Sequence, residues 1–223
     1  MQSETYLPIL KRAGLVLLNV GLLDIGVMIY CIVNAISYTS SFNIFAVVGG
    51  VFLMRGNLIA ASLVRWLSLF IAAALISVVL VSPALQPLGL IFTEFKLNPV
   101  STMLGLGLFA GAMVLLVWLS RQLGSPQVLA ARAAAGRKVR NPTLPVGLGV
   151  GLALVLAVVS LWVQRSDAAA KAIQAAKAMH GASYEYHVSS LNYRNTNEGT
   201  FVSGVVTVWN VHEVKNVPFQ WHD

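Results

Sequence analysis

The sequence predicts a membrane-embedded, all-α bundle of about five transmembrane helices, followed by a small C-terminal α+β domain. Hydrophobic residues make up 57% of the 223-residue chain and charged residues only 10%, whereas soluble domains have about a quarter charged residues. The apolar residues form runs that are long enough to cross a bilayer, and the chain turns polar from Gln164 onward. We therefore expect two domains, a polytopic transmembrane domain over 1–165 and an extracytoplasmic domain over 166–223.

Three apolar runs occupy the first part of the chain. The first, Ala13 to Ile36, can cross about 30 Å of hydrocarbon as a helix. It is too long for a signal peptide and lacks a small-residue cleavage pattern, so we expect an uncleaved helix. The second, Phe42 to Met54, is short for a span and predicts either a tight second span or a re-entrant hairpin. The third, Leu58 to Val81, predicts a span that Arg65 interrupts.

Two further spans are predicted in the second part of the membrane domain. The segment Ala84 to Pro99 is rich in proline and predicts a loop with an interfacial stretch, because proline removes a backbone donor and stops helices. Val100 to Leu119 predicts a span without ionisable residues, and Leu144 to Val163 predicts the last span. The stretch 121–140 connects these two spans and is the most basic part of the chain.

The C-terminal tail predicts one helix and an antiparallel sheet. Ser166 or Asp167 suits the helix N-cap and Gly181 suits its end, so the alanine-rich segment between them predicts a helix of about thirteen residues. The first part of the segment SYEYHVSSLNYR alternates between aromatic or aliphatic residues and polar residues, as expected of a strand with one buried face. The segment NTNEG predicts a turn, TFVSGVVTVWNV a second strand and VPFQW a third.

Basic residues in the short loops predict the orientation. With a cytoplasmic N-terminus and five spans, only Lys96 lies in the short loops on the other side. Nine lie on the N-terminal side: Lys11, Arg12, Arg55, Arg65, Arg121, Arg132, Arg137, Lys138 and Arg140. A re-entrant second segment would leave four spans and would separate the basic 121–140 loop from the N-terminus, so five spans are preferred. The absence of a transit-peptide pattern favours a bacterial inner membrane, with the C-terminal domain in the periplasm.

Asp24 places an acid in the middle of the first span, where a charge costs a few kcal/mol or more unless it is paired or hydrated. Arg65 lies at a comparable depth in the third run, within reach of an extended arginine side chain. We predict that Asp24 and Arg65 form an ion pair that locks two helices together. Two alternatives remain: Arg65 reaches the cytoplasmic interface while Asp24 binds Asn or Ser donors, or Asp24 belongs to a proton or ion pathway.

Glycines at helical spacing predict packing faces. Gly21 shares the helix face of Asp24, Gly107 and Gly111 form one GxxxG motif, and Gly147 and Gly151 form another. This spacing lets helix backbones approach closely. The expected use is helix packing within the chain, and a subunit interface is the alternative.

The basic 121–140 loop could also bind the membrane surface. Its charges are Arg121, Arg132, Arg137, Lys138 and Arg140, and each Lys or Arg near an anionic membrane surface is worth about 1 kcal/mol. The basic loop could therefore form an amphipathic helix on lipid headgroups. The competing interpretation is that these charges only determine topology.

Candidate catalytic and metal-binding patterns are missing from the sequence. It has no GxSxG, HExxH, Walker A or GxGxxG motif, and its single cysteine, Cys31, cannot form an intrachain disulfide. All four histidines lie in the tail, where the predicted hairpin keeps His187 and His212 apart. We therefore expect no catalytic residue, no metal, no other cofactor and no nucleic-acid partner.

Together these features predict a non-enzymatic accessory, assembly or scaffolding subunit of the membrane. It would bind partner membrane proteins in a heteromeric complex through its transmembrane faces and its C-terminal domain, and it would contact lipid. The alternative is a small homo-oligomeric transporter or channel with Asp24 in a polar pathway. A third possibility is an enzyme that acts on a lipid or a quinone at the membrane surface.

Overall fold

A computed structural model describes residues 5–36, 38, 43–137, 141–196 and 199–222. Within these ranges the chain forms eight helices followed by three strands. In order they are α1 Leu7–Val33, α2 Asn43–Met54, α3 Leu58–Leu85, α4 Leu88–Leu97, α5 Pro99–Leu123, α6 Pro126–Ala134, α7 Thr143–Gln164, α8 Asp167–His180, β1 Glu185–Thr196, β2 Gly199–Trp209 and β3 Val214–His222.

Four of the described helices, α1, α3, α5 and α7, are long and apolar enough to cross a membrane. The predicted fifth span is not confirmed, because α2 has 12 residues and is about 18 Å long, well short of the roughly 30 Å of a hydrocarbon core. The described helix runs from Asn43 to Met54 and is followed by a turn in which Gly56 has a φ of +75°. Its apolar residues are therefore too few for a full helical crossing.

The chain divides into two compact units. The first comprises Met1–Ala73 and Gly111–Gly149, and the second comprises Ala74–Ala110 and Val150–Asp223. The tail is thus grouped with the end of α3, with α4 and with parts of α5 and α7. The predicted division into 1–165 and 166–223 stays a prediction.

The core of the first unit joins the ends of several helices. Its buried residues come from the first half of α1 (Leu10, Ala13, Leu17), from α2 (Ala46, Leu53), from the start of α3 (Ala61), from the end of α5 (Leu119, Leu123) and from α6 (Val128). The α2–α3 turn also lies beside the start of α1, since a Cβ built at Gly56 would be 2.7 Å from Leu7 Cδ2. The chain has therefore returned to the N-terminal end of α1 by Gly56, although α2 itself is short.

Helices α1 and α2 pack backbone against backbone through glycines. A Cβ added at Gly14 would lie 2.7 Å from the Gly50 carbonyl oxygen, and one added at Gly50 would lie 2.8 Å from the Gly14 carbonyl oxygen. Further along α1, a Cβ at Gly21 would lie 2.8 Å from a methyl carbon of Val47. The two helices are antiparallel, and no larger side chain fits at these contacts without movement.

Helix α3 continues past its predicted end and contains Pro83. Proline has no N–H to donate to the carbonyl four residues earlier, which here belongs to Val79. The Ser82 hydroxyl donates to that carbonyl oxygen at 2.8 Å. At the helix end, the Gln164 amide donates to the Leu85 carbonyl oxygen at 3.1 Å. These side-chain donors allow the helix to extend to Leu85.

The segment predicted as a loop with an interfacial stretch forms helix α4 instead. Pro87 is the N-cap of α4, and Pro99 is the first residue of α5. Proline is well tolerated at the first helical positions, where its missing N–H would have no intrahelical partner. These prolines therefore mark helix starts, and the expectation of a loop from Ala84 to Pro99 was wrong.

The tail contains the predicted helix and three-stranded antiparallel sheet. Ser166 is the N-cap of α8 and accepts a hydrogen bond from the Ala169 amide at 3.3 Å, while Gly181 ends the helix with a φ of +81°. The sheet order is β1-β2-β3, with Val206 opposite both Val188 and Val217. The buried face of α8 contributes Ala169, Ala172 and Ala176, which pack in one core with Val188, Val206 and Val208.

Candidate functional site

Asp24 faces the start of α2. Its carboxylate accepts a hydrogen bond from the Tyr38 hydroxyl, which belongs to the connection between α1 and α2. Gly21, one turn earlier, packs against Ala46 and Val47, so the antiparallel α2 begins at about the level of Asp24. A helix N-terminus carries a partial positive charge that favours a nearby acid. Asp24 is thus held by a hydroxyl donor and by its position beside a helix start.

Arg65 lies on α3 and faces a different neighbour. A Cβ added at Gly124, just after α5, would lie 3.0 Å from Arg65 Nε, so the guanidinium rests on this glycine. The Nε atom is buried and has no hydrogen-bond partner in the described part of the chain. The structure therefore does not bring Asp24 and Arg65 together, because one faces α2 and the other faces the α5–α6 turn.

The predicted packing glycines fall into two groups. Gly21 contacts α2, whereas a Cβ added at Gly107, Gly111, Gly147 or Gly151 would meet no atom within 4 Å. Gly14 and Gly50 make the closest α1–α2 contacts, although neither was among the predicted packing residues. The adjacent pair Gly49 and Gly50 in a short apolar segment was the available signal.

The basic stretch includes the end of α5 and helix α6, and its charged residues differ in exposure. Arg132 is only 4% exposed, whereas Arg121 and Arg137 are exposed. Lys138 and Arg140 lie outside the described residues. The burial of Arg132 was not predicted, because the stretch was interpreted either as an amphipathic helix on lipid headgroups or as a topology determinant.

Arg65 and Arg132 line the same small cavity in the first unit. Its volume is about 20 Å³, and its walls come from α3 (Ser62, Arg65, Trp66), from α6 (Arg132), from Pro142 just before α7 and from Pro145 within α7. An adjoining open groove of about 630 Å³ shares Ser62, Trp66 and Arg132 and adds Leu58, Leu63 and Arg137. Among the residues that the structure describes, the lining of the cavity and of the groove contains no acidic side chain.

A second polar cluster lies in the tail, at the β2–β3 turn. The Tyr184 hydroxyl donates to the Glu213 carboxylate, and Lys215 Nζ lies 2.8 Å from the same carboxylate oxygen. The hydrogen bond to Glu213 raises the pKa of Tyr184, and the hydrogen bonds from Lys215 and Tyr184 lower the pKa of Glu213. This partly buried cluster joins the residues that precede β1 and β3, and it favours the charged form of the Glu213 carboxylate.

The sheet face that points away from α8 carries a network of hydroxyl and amide side chains. Thr207 is buried, its hydroxyl donates to Asn216 Oδ1 at 2.9 Å, and it also hydrogen-bonds the Ser189 hydroxyl. His187 is opposite Thr207 in the register, and burial lowers its pKa. Helix α4 lies on this side, since a Cβ at Gly89 would be 3.6 Å from Trp209 Nε1. The predicted separation of His187 from His212 agrees with this register.

Comparison of the chain with protein-family models, with curated proteins and with solved structures finds no match. The described residues contain no group of three or more His, Cys, Asp or Glu side chains that could hold a metal ion. Function is therefore inferred from the geometry of the side chains.

Proposed function

We propose that this protein is a non-enzymatic accessory or assembly subunit that binds partner membrane proteins through its transmembrane faces and its C-terminal domain. The observation that supports this proposal best is the position of the glycines on α5 and α7. Gly107 and Gly111 form one motif for close helix approach and Gly147 and Gly151 form another, yet all four have open space beyond the backbone.

The contrast with α1 and α2 strengthens this proposal. There the chain uses Gly14 and Gly50 for backbone contact, which shows what glycine achieves in this protein when a helix covers it. A glycine that faces lipid makes little contact and lowers helix propensity by about 1 kcal/mol relative to alanine. A partner helix that covers Gly107 and Gly111, or Gly147 and Gly151, would compensate by close packing.

The proposed setting is a bacterial inner membrane with a cytoplasmic N-terminus and a periplasmic tail. Basic residues near the start of α1, the α2–α3 turn and helix α6 belong to helix ends that share the first unit's core. The positive-inside rule assigns such an end to the cytoplasm. One further span, α7, then leads to the tail on the other side.

The test is co-purification of the full-length protein from its native membrane in mild detergent. We expect a heteromeric complex that is lost in the Gly107→Ile, Gly111→Ile double variant, because two branched side chains would block close helix approach. Gly26→Ile is the matched control, since Gly26 also has open space but has no glycine four residues away. A pure homo-oligomer, or a complex that survives the double variant, would contradict the proposal.

A second candidate, a small homo-oligomeric transporter or channel, is favoured by the surroundings of Asp24. An acid beside the start of a short helix, with a hydroxyl donor from a connecting segment, resembles the ion sites that interrupted helices form in transporters. This candidate predicts a pH-sensitive flux in reconstituted vesicles that Asp24→Asn abolishes. Equal flux in protein-free vesicles and in vesicles that contain the protein would reject it.

A further inference from the structure

Helix α4 connects α3 and α5, two helices that are long and apolar enough to cross a membrane. Only Gln86 and Pro87 separate it from α3, and only Asn98 separates it from α5. The Gln164 amide at the end of α7 donates to the Leu85 carbonyl oxygen at the end of α3, so these two helix ends lie side by side. Helix α4 therefore starts beside the ends of α3 and α7 and finishes at the start of α5.

The length of α7 places these helix ends at the membrane surface. Its 22 residues form a helix about 33 Å long, which matches the roughly 30 Å of a hydrocarbon core, so both of its ends lie near the boundary with water. Trp162, in the last turn of α7, is 74% exposed, and tryptophan is enriched at this boundary. Since α4 is only about 15 Å long and adjoins a crossing helix at each end, it lies along the membrane surface.

An apolar stripe on α4 consists of Leu88, Phe92 and Phe95, which lie on one side of the helix because they are four and three residues apart. Their exposed fractions are 54%, 71% and 40%. Glu94 is about 160° around the helix from Phe92 and is also exposed. The exposed surface of α4 therefore has an apolar side and a charged side.

A further part of α4 contacts the sheet of the tail. A Cβ added at Gly89 would lie 3.6 Å from Glu185 Oε2 and 3.6 Å from Trp209 Nε1, and these two residues are opposite each other at one end of the sheet. Leu90, the next residue of α4, is buried, and so is Trp209. The sheet thus contacts α4 and leaves the apolar stripe exposed.

We propose that α4 is an interfacial helix whose apolar stripe inserts into lipid on the side of the membrane where the tail lies. The neighbouring helix indicates lipid as the occupant, because exposed apolar side chains continue into α5, where Val100 is 79% and Leu104 is 66% exposed. Amphipathic interfacial helices bury their apolar side about 5–10 Å into the boundary between headgroups and acyl chains. Glu94 then faces water, and the end of the sheet at Trp209 lies beside the membrane surface.

The test measures the collision rates of nitroxide labels by electron paramagnetic resonance. The full-length protein carries single cysteines in a Cys31→Ser background and is reconstituted alone into vesicles of phosphatidylethanolamine and phosphatidylglycerol. Oxygen concentrates in the bilayer, whereas a nickel–EDDA complex stays in water. We expect the ratio of oxygen to nickel collisions to be at least about threefold higher at Phe92→Cys than at Glu94→Cys, because the Phe92 label lies below the headgroups. Glu94→Cys is the matched control, since it is exposed on the same helix.

Labels at further positions keep the test decisive if one variant does not fold. Leu88→Cys and Phe95→Cys should behave like Phe92→Cys. Val211→Cys, which is exposed two residues after Trp209, should favour collisions with the nickel complex as Glu94→Cys does. Gel filtration and circular dichroism identify folded variants.

Three results would contradict the insertion of the apolar stripe into lipid. Equal collision ratios at Phe92→Cys and Glu94→Cys would overturn the proposal, because the stripe would then lie in water. Stripe labels that are shielded from both reagents would overturn the lipid assignment in favour of a second copy of the chain, since these vesicles contain no other protein. A larger oxygen preference at Val211→Cys than at Phe92→Cys would show that the side of α4 next to the sheet faces the lipid instead.

Discussion

Asp24 shows how the surroundings of one residue change its interpretation. In the middle of a span, its carboxylate would be costly without compensation, and an arginine elsewhere in the chain is the obvious candidate partner. The structure instead supplies the Tyr38 hydroxyl and the start of α2, both of which lie close to Asp24 along the chain. The segment that connects α1 and α2 therefore helps to stabilise the Asp24 carboxylate in its place within the span.

Tyr38→Phe tests that contribution. Loss of the hydroxyl removes one hydrogen bond to a charged group, so we expect the protein in detergent to lose about 1.5–3 kcal/mol of stability. Thermal unfolding followed by tryptophan fluorescence measures the effect. Tyr30→Phe is the control, because Tyr30 is 62% exposed on the same helix, and it should change stability by less than about 0.5 kcal/mol. Equal stability of the two variants would show that the Tyr38 bond is unimportant.

His187 carries a pH dependence of the tail. Burial lowers its pKa from the ordinary value of 6.5, so the unfolded strand binds a proton more readily than the folded strand. The stabilisation is complete above about pH 6.5 and is lost as the pH falls toward the lower pKa of the folded state. Glu213 acts in the same direction at lower pH, because hydrogen bonds from Lys215 and Tyr184 lower its pKa below 4.5.

Hydrogen exchange of β1 in the full-length protein measures this effect. We expect weaker protection at pH 5.5 than at pH 7.5, after correction for intrinsic exchange rates, and a smaller difference in His187→Gln. His212→Gln, in the exposed turn between β2 and β3, should keep the wild-type pH dependence. An unchanged pH dependence in His187→Gln would assign the effect to other groups.

The pair of helices α1 and α2 depends on contacts that hydropathy does not reveal. Their interface is made by glycine backbones, and the short helix can lie against the first half of α1 only because Gly14 and Gly50 lack side chains. The glycines that were chosen from the GxxxG spacing on α5 and α7 face open space instead. Spacing identifies small residues, but only the arrangement of the helices decides which of them are covered.

Gly50→Ala tests this interface. The new Cβ would lie 2.8 Å from the Gly14 carbonyl oxygen and from the Leu18 amide nitrogen, both of which are backbone atoms that cannot rotate away. We expect a loss of about 1–3 kcal/mol in thermal unfolding experiments. In Gly105→Ala the added Cβ meets nothing within 4 Å, so this control should be neutral or slightly stabilising through helix propensity. A neutral Gly50→Ala would show that the two helices separate easily.

The secondary structure was predicted best where local signals decide it. Helix α8 and the sheet agree with the prediction because capping residues, a terminal glycine and alternating strands act over a few residues. The predictions at Pro83 and Pro87 were wrong, because proline stops a helix only where no side chain or helix start compensates for its missing donor. The candidate site at Arg65 and Arg132 could not be predicted, since it joins residues from three helices.

The proposed arrangement of the chain in a membrane depends on which helix ends share the first unit's core. The starts of α1 and α3, the end of α5 and helix α6 meet there, and the α2–α3 turn contacts the start of α1. The described basic residues near these helix ends are therefore gathered at one end of the first unit, even though α2 is too short to cross alone. The proposed topology therefore keeps the predicted charge asymmetry with four long helices and one short helix.

Cysteine labelling tests this arrangement. In a Cys31→Ser background, we expect Lys11→Cys, Arg55→Cys and Ala135→Cys to react with a membrane-impermeant maleimide from the cytoplasmic side only. Met179→Cys, exposed on α8, should react only from the opposite side and serves as the internal control. Reaction of Arg55→Cys from the same side as Met179→Cys would contradict the return of the chain beside the start of α1.

The sequence by itself determined the membrane class, four of the long helices, the helix and sheet of the tail and the charge asymmetry of the loops. Each of these depends on composition or on neighbours within a few residues. A long apolar helix suits lipid because it satisfies its backbone hydrogen bonds within its own segment. Only the tertiary structure decided the length of α2, the glycines that are covered, and the neighbours of Asp24 and Arg65. These features depend on contacts between segments that are distant in the chain, which no local pattern specifies.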